Sequence, residues 1–412
     1  MERSKVNNID YFFIENIKYK TNTISIFFKE KITKENMIRR QILPRILSNK
    51  TRQYNSQLKL SRKLASLYSS SISASESISG EYSVLKFSIT FIQSKYLNED
   101  ITKDVLNLLK EIVFNPFTVN EQFEEETINR IKNELKNLVK QKEVSFMIKA
   151  KEGAFKTLFE DQPCNYNIVT NEKIETINAK EVYDYYKNVI STNQMLLIFE
   201  GDKDVKDQID MFSTELESNS EYNAYHPKSS PKGLVVKKDK TKQNNLFFVY
   251  DGFSEKDEDN VKNFFFSMML GESPSSLLFQ EVREKHSLAY SIGSQFDANF
   301  KLLYIYGGVK LDSLDKTIEI INDQLNRLKT EDFTGLLNDS RQNYLNHLYS
   351  SLDLKGFLTT RYARSWISNT YTTIEELIER INAVTIDDIK CIANEIQNKI
   401  MYVLQGEINN ED

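Results

Sequence analysis

Leu270-Gly-Glu-Ser-Pro-Ser-Ser-Leu-Leu-Phe-Gln-Glu-Val-Arg-Glu-Lys-His-Ser-Leu-Ala-Tyr-Ser-Ile292 contains a turn, a helix and the start of a strand. Gly271 to Ser276 has the composition of a turn. Leu277, Leu278, Val282 and Leu288 fall where they can line the buried side of a helix and its exit. Arg283 and Tyr290 stand seven positions apart, one near the helix end and one at the start of the strand. Two long donor side chains placed there can converge on one acceptor, such as a peptide carbonyl. A plain structural role accounts for them as well: Arg283 as the cation at a helix C-terminus, Tyr290 as a packed sheet residue.

Working outward, Tyr290 has a counterpart in Tyr68, 222 positions earlier. Tyr68 follows a helical stretch, Leu58 to Leu67, and opens a Ser-rich strand, as Tyr290 opens another. The apolar strand Asn245-Leu-Phe-Phe-Val-Tyr250 has its counterpart at the same offset in Thr23-Ile-Ser-Ile-Phe-Phe28. Each half then continues alike. A strand (Val84–Phe91; Leu302–Val309) is followed by an amphipathic helix (101–113; 314–328). Phe117-Thr118 and Phe333-Thr334 then lead into a long helix. The first long helix is predicted over Asn120–Gln141, with Phe123, Ile128, Ile131, Leu135 and Leu138 at helical spacing. Its acidic start and basic end suit the helix dipole. The chain therefore reads as one fold duplicated. The expected class is α+β: two homologous layered α/β halves, each an antiparallel-rich mixed sheet of about five or six strands with helices on one face. The expected division is 1–220, a Ser-, Asn-, Pro- and Lys-rich linker at 221–244, and 245–412, with Val235-Val236 as a short strand in or after the linker.

Composition narrows the function. The chain has 412 residues, 40% apolar and 27% charged, with 12 Gly and 6 Pro, which suits a chain with a large core and excludes collagen-like or linker-rich architecture. A net charge of -5 provides no global positive field for nucleic acid. The run Lys237–Lys242 reads as a solvated face or linker. Cys164 and Cys391 are far apart and belong to no CxxC pair, so neither a disulfide framework nor a thiolate zinc site is expected. The N-terminus lacks the apolar stretch of a signal peptide, and clusters such as Phe264–Leu270 fall short of the roughly 20 residues of a membrane helix. The expected setting is cytoplasmic, without a membrane. Three histidines, His226, His286 and His347, form no HExxH or HxxEH pair. P-loop, GxGxxG and GxSxG motifs are absent.

The stretch Ser275 to Ser291 resembles the pitrilysin–insulinase zinc peptidases, the group that includes the mitochondrial processing peptidase. The family pattern is a Gly/Ser-rich turn, LFQEVREK, two residues, then LAYS; here it stands as SSLLFQEVREKHSLAYS. The resemblance extends over both halves. It includes Tyr166-Asn-Ile-Val-Thr-Asn-Glu-Lys-Ile-Glu-Thr-Ile-Asn178 before a helix carrying Tyr185-Tyr186, and Gln194-Met-Leu-Leu-Ile-Phe-Glu-Gly-Asp-Lys-Asp204 as the last strand and turn of the first half. Catalytic members carry HxxEH on a helix, with two zinc ligands, a water-activating Glu and a downstream Glu ligand. Here that motif aligns with Gln41-Ile-Leu-Pro-Arg45. Gln41 and Arg45 replace the two His, Pro44 replaces the base, and the third ligand would fall near Glu124–Glu126. Residues 1–225 contain no His at all.

The resemblance implies a retained fold without zinc in this chain. Several family members pair a metal-bearing chain with one lacking the motif, whose Arg and Tyr donate hydrogen bonds to the substrate. By carry-over these are Arg283 and Tyr290. The leading expectation is a non-catalytic subunit of a heterodimeric zinc peptidase, with zinc in an HxxEH-bearing partner of similar size and an extended peptide as substrate. The alternative is a non-enzymatic peptide-binding or assembly protein, as the related core proteins of a respiratory complex are. A self-sufficient peptidase would require stoichiometric metal in the purified chain alone. The substrate stays open among a bacteriocin-like precursor, a leader peptide and a general oligopeptide pool.

Overall fold

A computed structural model describes residues 1–407 except 167, 219–227 and 255. His226 therefore lies outside the described residues, as does part of the segment expected to be the linker. The first sheet comprises β1 (Glu2–Val6), β2 (Ile9–Glu15), β3 (Thr21–Lys31), β4 (Ser71–Ser79), β5 (Tyr82–Ile92) and β6 (Gln194–Gly201), ordered β1-β2-β6-β3-β5-β4. The second comprises β7 (Gly233–Asp239), β8 (Asn244–Asp251), β9 (Ala289–Asp297), β10 (Leu302–Val309) and β11 (Gln397–Gly406), ordered β7-β11-β8-β10-β9. Set β1 aside and the two orders coincide strand for strand. In each the first pair, β2–β6 or β7–β11, is parallel and every other pair antiparallel. That is the duplication the repeats predict. β7 falls inside the segment expected as linker and includes Val235-Val236.

Strand burial follows from what covers each face. In β3, Ile24, Ile26 and Phe28 enter a core shared with the helices Lys34–Leu47, Thr102–Phe114 and Ala179–Thr192. Phe27, one residue out of phase, faces the other way, where Phe12, Ile14, Val84, Leu196 and Ile198 meet Tyr362, Ala363 and Trp366 of the helix Phe357–Ser368. Central strands β6 and β8 are buried on both faces and read as continuous apolar runs. The second sheet receives the helix Phe146–Phe159 on one face, through Ala150, Ala154 and Phe155 against Phe247, Val249, Tyr304 and Tyr402.

Helices on one face alone therefore need an addition: each sheet carries one further helix on its second face, contributed by the other sequence half. The chain forms two compact units accordingly. One contains Met1–Val139, the segment beginning at Tyr166, and Ser351–Tyr371; the other contains Lys140–Asn165 and the remainder of the second half. The first long helix also begins later than predicted, at Glu125 rather than Asn120. Asn120 and Glu121 sit at φ +51° and +56°, in a tight turn bridging Val119 and Gln122, and left-handed backbone cannot continue a helix.

Lys29, at the end of β3, is 4% exposed. Its ammonium donates to Trp366 O at 3.3 Å and lies 4.4 Å from the Trp366 ring centre. Burial pushes its pKa down from 10.5 to about 8. Between pH 8 and 10 the unfolded chain retains a proton that the folded chain has lost, so stability rises with pH across that window. The rise expected is about 1–3 kcal/mol. Denaturant titrations at pH 7.5 and 9.5 should show a larger rise in the wild type than in Lys29→Met, where only lysines such as Lys86 and Lys355, also pushed down by burial, still contribute. Tyr11 and Tyr185, whose hydroxyls burial pushes up, oppose it only above pH 10.

Candidate functional site

Arg283 and Tyr290 are both placed by irregular backbone. Residues Phe279–Lys285 form a π-helical turn in which His286 N reaches back to Glu281 O. The extra residue per turn re-aims the side chains, a device frequent at functional sites. The Arg283 guanidinium lies 4.6 Å over the Phe279 ring and 3.6 Å from Glu284, and donates no hydrogen bond among the described residues. Ser287, at φ +51°, then turns the chain into β9. In β9 Ala289 pairs with Val309 and Ser291 with Gly308, leaving Tyr290 as the extra residue of a bulge. The bulge breaks the in–out alternation, so Tyr290 and Ser291 are both exposed between buried Ala289 and Ile292. At 73% exposure Tyr290 is not the packed sheet residue that its strand position suggests. Its hydroxyl, like the guanidinium, makes no hydrogen bond among the described residues.

Next to them lies a cleft of about 520 Å³ between Gly271–Pro274, Phe279, the β9 residues Ile292–Gln295 and Tyr306 of β10. The chain enters it through a second π-helical turn, Met268–Glu272. Burial pushes the Glu272 carboxyl above the usual carboxylate range, although Ser267 Oγ donates to it at 2.6 Å. The Tyr306 hydroxyl is raised by burial and by the nearby Glu272 charge. Two glycines hold the walls at this spacing. A Cβ on Gly271 would sit 2.5 Å from Ser294 N, and one on Gly307 would sit 2.6 Å from Ser291 O. Gly307→Ala must therefore push β9 away at the bulge. It is expected to cost about 1–3 kcal/mol in urea unfolding and to make Tyr290 more mobile, measurable by its ring NMR signals.

The aligned zinc motif lies on the helix Lys34–Leu47 and does not fit the metal. Gln41 offers an amide. Pro44 contributes only its carbonyl, which accepts Ser48 N and, at 2.7 Å, Ser48 Oγ. Arg45 pairs with Glu134 at 3.3 Å, and Lys50 with Glu124 at 2.6 Å. Lys50 and Thr127, which also donates to Glu124, hold that carboxylate below the usual range. Glu125 and Glu126 point into solvent as exposed residues. A divalent cation would meet two fixed positive charges and no imidazole. His286 and His347 are exposed residues of the second unit. Among the described residues no group of three His, Cys, Asp or Glu could hold a metal ion. No helix among them is long and apolar enough to cross a membrane.

One residue beside the motif carries no signal in its spacing: Arg40. It is fully buried, and its guanidinium donates to Ser83 Oγ (2.9 Å), Glu30 Oε2 (2.8 Å), Tyr185 Oη (3.2 Å), Asn193 Oδ1 (2.6 Å), Phe28 O (2.9 Å) and Ser83 O (3.0 Å). Tyr185, first of the Tyr-Tyr pair, belongs to this cluster; Tyr186 instead donates to Val113 O at 2.9 Å. The Glu272–Tyr306 cleft was equally silent, since its members come from separate elements.

A family profile described as "Peptidase M16 inactive domain" matches residues 176–335. The chain is 26% identical over 419 residues to the "Probable inactive metalloprotease YmfF" of Bacillus subtilis strain 168, covering 98% of this chain and 97% of that one. Among solved structures, a conserved protein from Enterococcus faecalis V583 aligns with TM-score 0.89 and 24% identity over 98% of both chains. A peptidase M16 inactive domain from Pseudomonas fluorescens aligns with TM-score 0.80 and 14% identity, covering 100% of this chain and 99% of that one.

Proposed function

The chain belongs to the pitrilysin–insulinase (M16) peptidase family as an inactive homologue without the zinc motif, and from that premise we propose that it is the non-catalytic subunit of a heterodimeric zinc peptidase. The observation that carries the proposal is the pair Arg283 and Tyr290: two exposed donors, each set by a backbone irregularity, neither donating a hydrogen bond among the described residues. Donors held ready in this way stabilise negative charge developing on a carbonyl oxygen. The metal and the water-activating carboxylate belong to an HxxEH-bearing partner of similar size. The substrate is an extended peptide, which can add to a sheet edge; among the edge strands are β4, the Ser-rich strand, and β9, which carries the Tyr290 bulge. Neither nucleic acid nor membrane is a partner in this scheme, and the setting is cytoplasmic.

A tagged chain recovered from its native source tests the proposal through intact mass and zinc content. The expected result is a second chain of similar size bearing HxxEH, with one zinc per pair. Recovery of a metal-free monomer or homodimer overturns it. That outcome would favour a peptide-binding protein acting without a catalytic partner, a second reading supported by the Glu272–Tyr306 cleft, which is complete within one unit of this chain.

A further inference from the structure

β4 is one edge of the first sheet, opposite β1, and its exposed row is Ser71, Ser73, Ser75 and Ser77. Directly across on the same face, β5 presents Thr90, Ser88, Lys86 and Val84, and β3 then presents Thr23, Ser25, Phe27 and Lys29. The helix Phe357–Ser368 packs on Val84 and Phe27, while the serines of β4 remain exposed. Lys86 stands at the border of these two zones. It is half-buried opposite Ser75, with its ammonium 5.7 Å from the Phe27 ring centre. It has no carboxylate or hydrogen-bond acceptor among the described residues. The acid it senses electrostatically, Glu200, is already taken by Asn16 Nδ2 at 2.9 Å and Thr359 Oγ1 at 2.7 Å. In the neighbouring row Ser25 is 0% exposed and its Oγ has no partner. A half-buried ammonium and a buried hydroxyl left unmatched are both costly, and packing beside Phe27 would be served as well by an apolar side chain.

We propose that Lys86 recognises a glutamate side chain of an extended peptide added to the β4 edge; this rests on the peptide-binding role proposed above. Charge complementarity selects the occupant, because the row facing that edge contains a cation and no acid. A strand paired with β4 would lie about 4.8 Å beyond it, putting its residue opposite Ser75 about 10 Å from the β5 backbone. Ser75 is short, so the Lys86 stem and a glutamate side chain meet above it in a charge-assisted hydrogen bond. Aspartate is one methylene shorter and reaches less far. On either side of Ser75 the exposed Ser71, Ser73 and Ser77 of the edge itself offer hydroxyls to small polar side chains. The other face of β4 offers half-buried Ile72, Ala74 and Ile78 to apolar ones. The fitting peptide alternates apolar and small polar residues around one glutamate.

Fluorescein-labelled peptides of alternating valine and serine, with a central Glu, Gln or Lys on the serine face, can be titrated with the full chain by anisotropy. The Glu peptide is expected to bind about ten-fold tighter than the Gln peptide. The preference should vanish in Lys86→Met and turn toward the Lys peptide in Lys86→Glu, with Gln-peptide affinity and far-UV circular dichroism unchanged in both. Equal binding of Glu and Gln peptides to wild type, or a preference that survives in Lys86→Met, overturns the inference and leaves peptide binding standing. Failure of all three peptides to bind overturns peptide binding at this edge, and the inference with it.

Discussion

Arg283→Ala combined with Tyr290→Phe is expected to lower turnover of the proposed two-chain peptidase by about 10²–10³-fold while the two chains still co-purify. The size follows from the environment. A donor aimed at a developing oxyanion contributes little in water and much in an enclosed, water-poor site. Neither side chain supports the fold: Tyr290 is 73% exposed, and the Arg283 guanidinium touches only Phe279 and Glu284. Loss of activity through unfolding is therefore not expected, and thermal denaturation of the double variant should match wild type. Arg283→Lys separates charge from geometry. Lysine keeps the charge but presents a single compact donor group, so it should recover only part of the rate. The loss should fall on kcat more than on KM, since the bond strengthens as the carbonyl oxygen gains charge. Full activity in an intact complex of the double variant would remove these residues from the mechanism and, with them, the proposed role of the chain.

How far the sequence could be read depended on whether a feature is periodic. The duplication was legible because strands and helices leave an apolar rhythm: the offset of 222 residues relates β3 to β8 and Tyr68 to Tyr290, and the same succession of strand and helices follows in each half. The missing zinc motif was legible as an absence of His. The exchanged helices were not: Phe146–Phe159 and Phe357–Ser368 are ordinary amphipathic segments, and their partners are set by chain routing, not by local pattern. Nor was the exposure of Tyr290 legible, because a bulge reverses a side chain's direction without changing composition. Lys86 carries no signal of its own within the strand Val84–Phe91; only the register, which sets it opposite Ser75 and beside Phe27, gives it a setting.

Arg40→Met is expected to cost about 3–5 kcal/mol of unfolding free energy in the first unit. Methionine fills the volume but leaves the Glu30 carboxylate, Asn193 Oδ1 and the carbonyls of Phe28 and Ser83 without this donor. The half-buried Glu30 keeps Tyr185 Oη, Asn193 Nδ2 and Asn36 Nδ2 as donors but loses the guanidinium that balances its charge, and breaking an ion pair on one side is worse than removing both. Arg40→Met with Glu30→Gln should therefore recover part of the loss, which a simple cavity effect would not predict. The chain has one tryptophan, Trp366, buried against the second face of the same sheet, so its fluorescence during urea unfolding reports on this unit. A loss below about 1 kcal/mol would show that the cluster is dispensable. The expectation of a large one has a structural reason. The helix Lys34–Leu47 carries Gln41, Pro44 and Arg45, the residues that the resemblance aligns with the zinc motif. Arg40, one residue before Gln41, ties the same helix to β3, to β5 and to the Tyr185 helix through six hydrogen bonds. The buried guanidinium thereby fixes this helix against the sheet, and its loss is expected to loosen the helix and the sheet together.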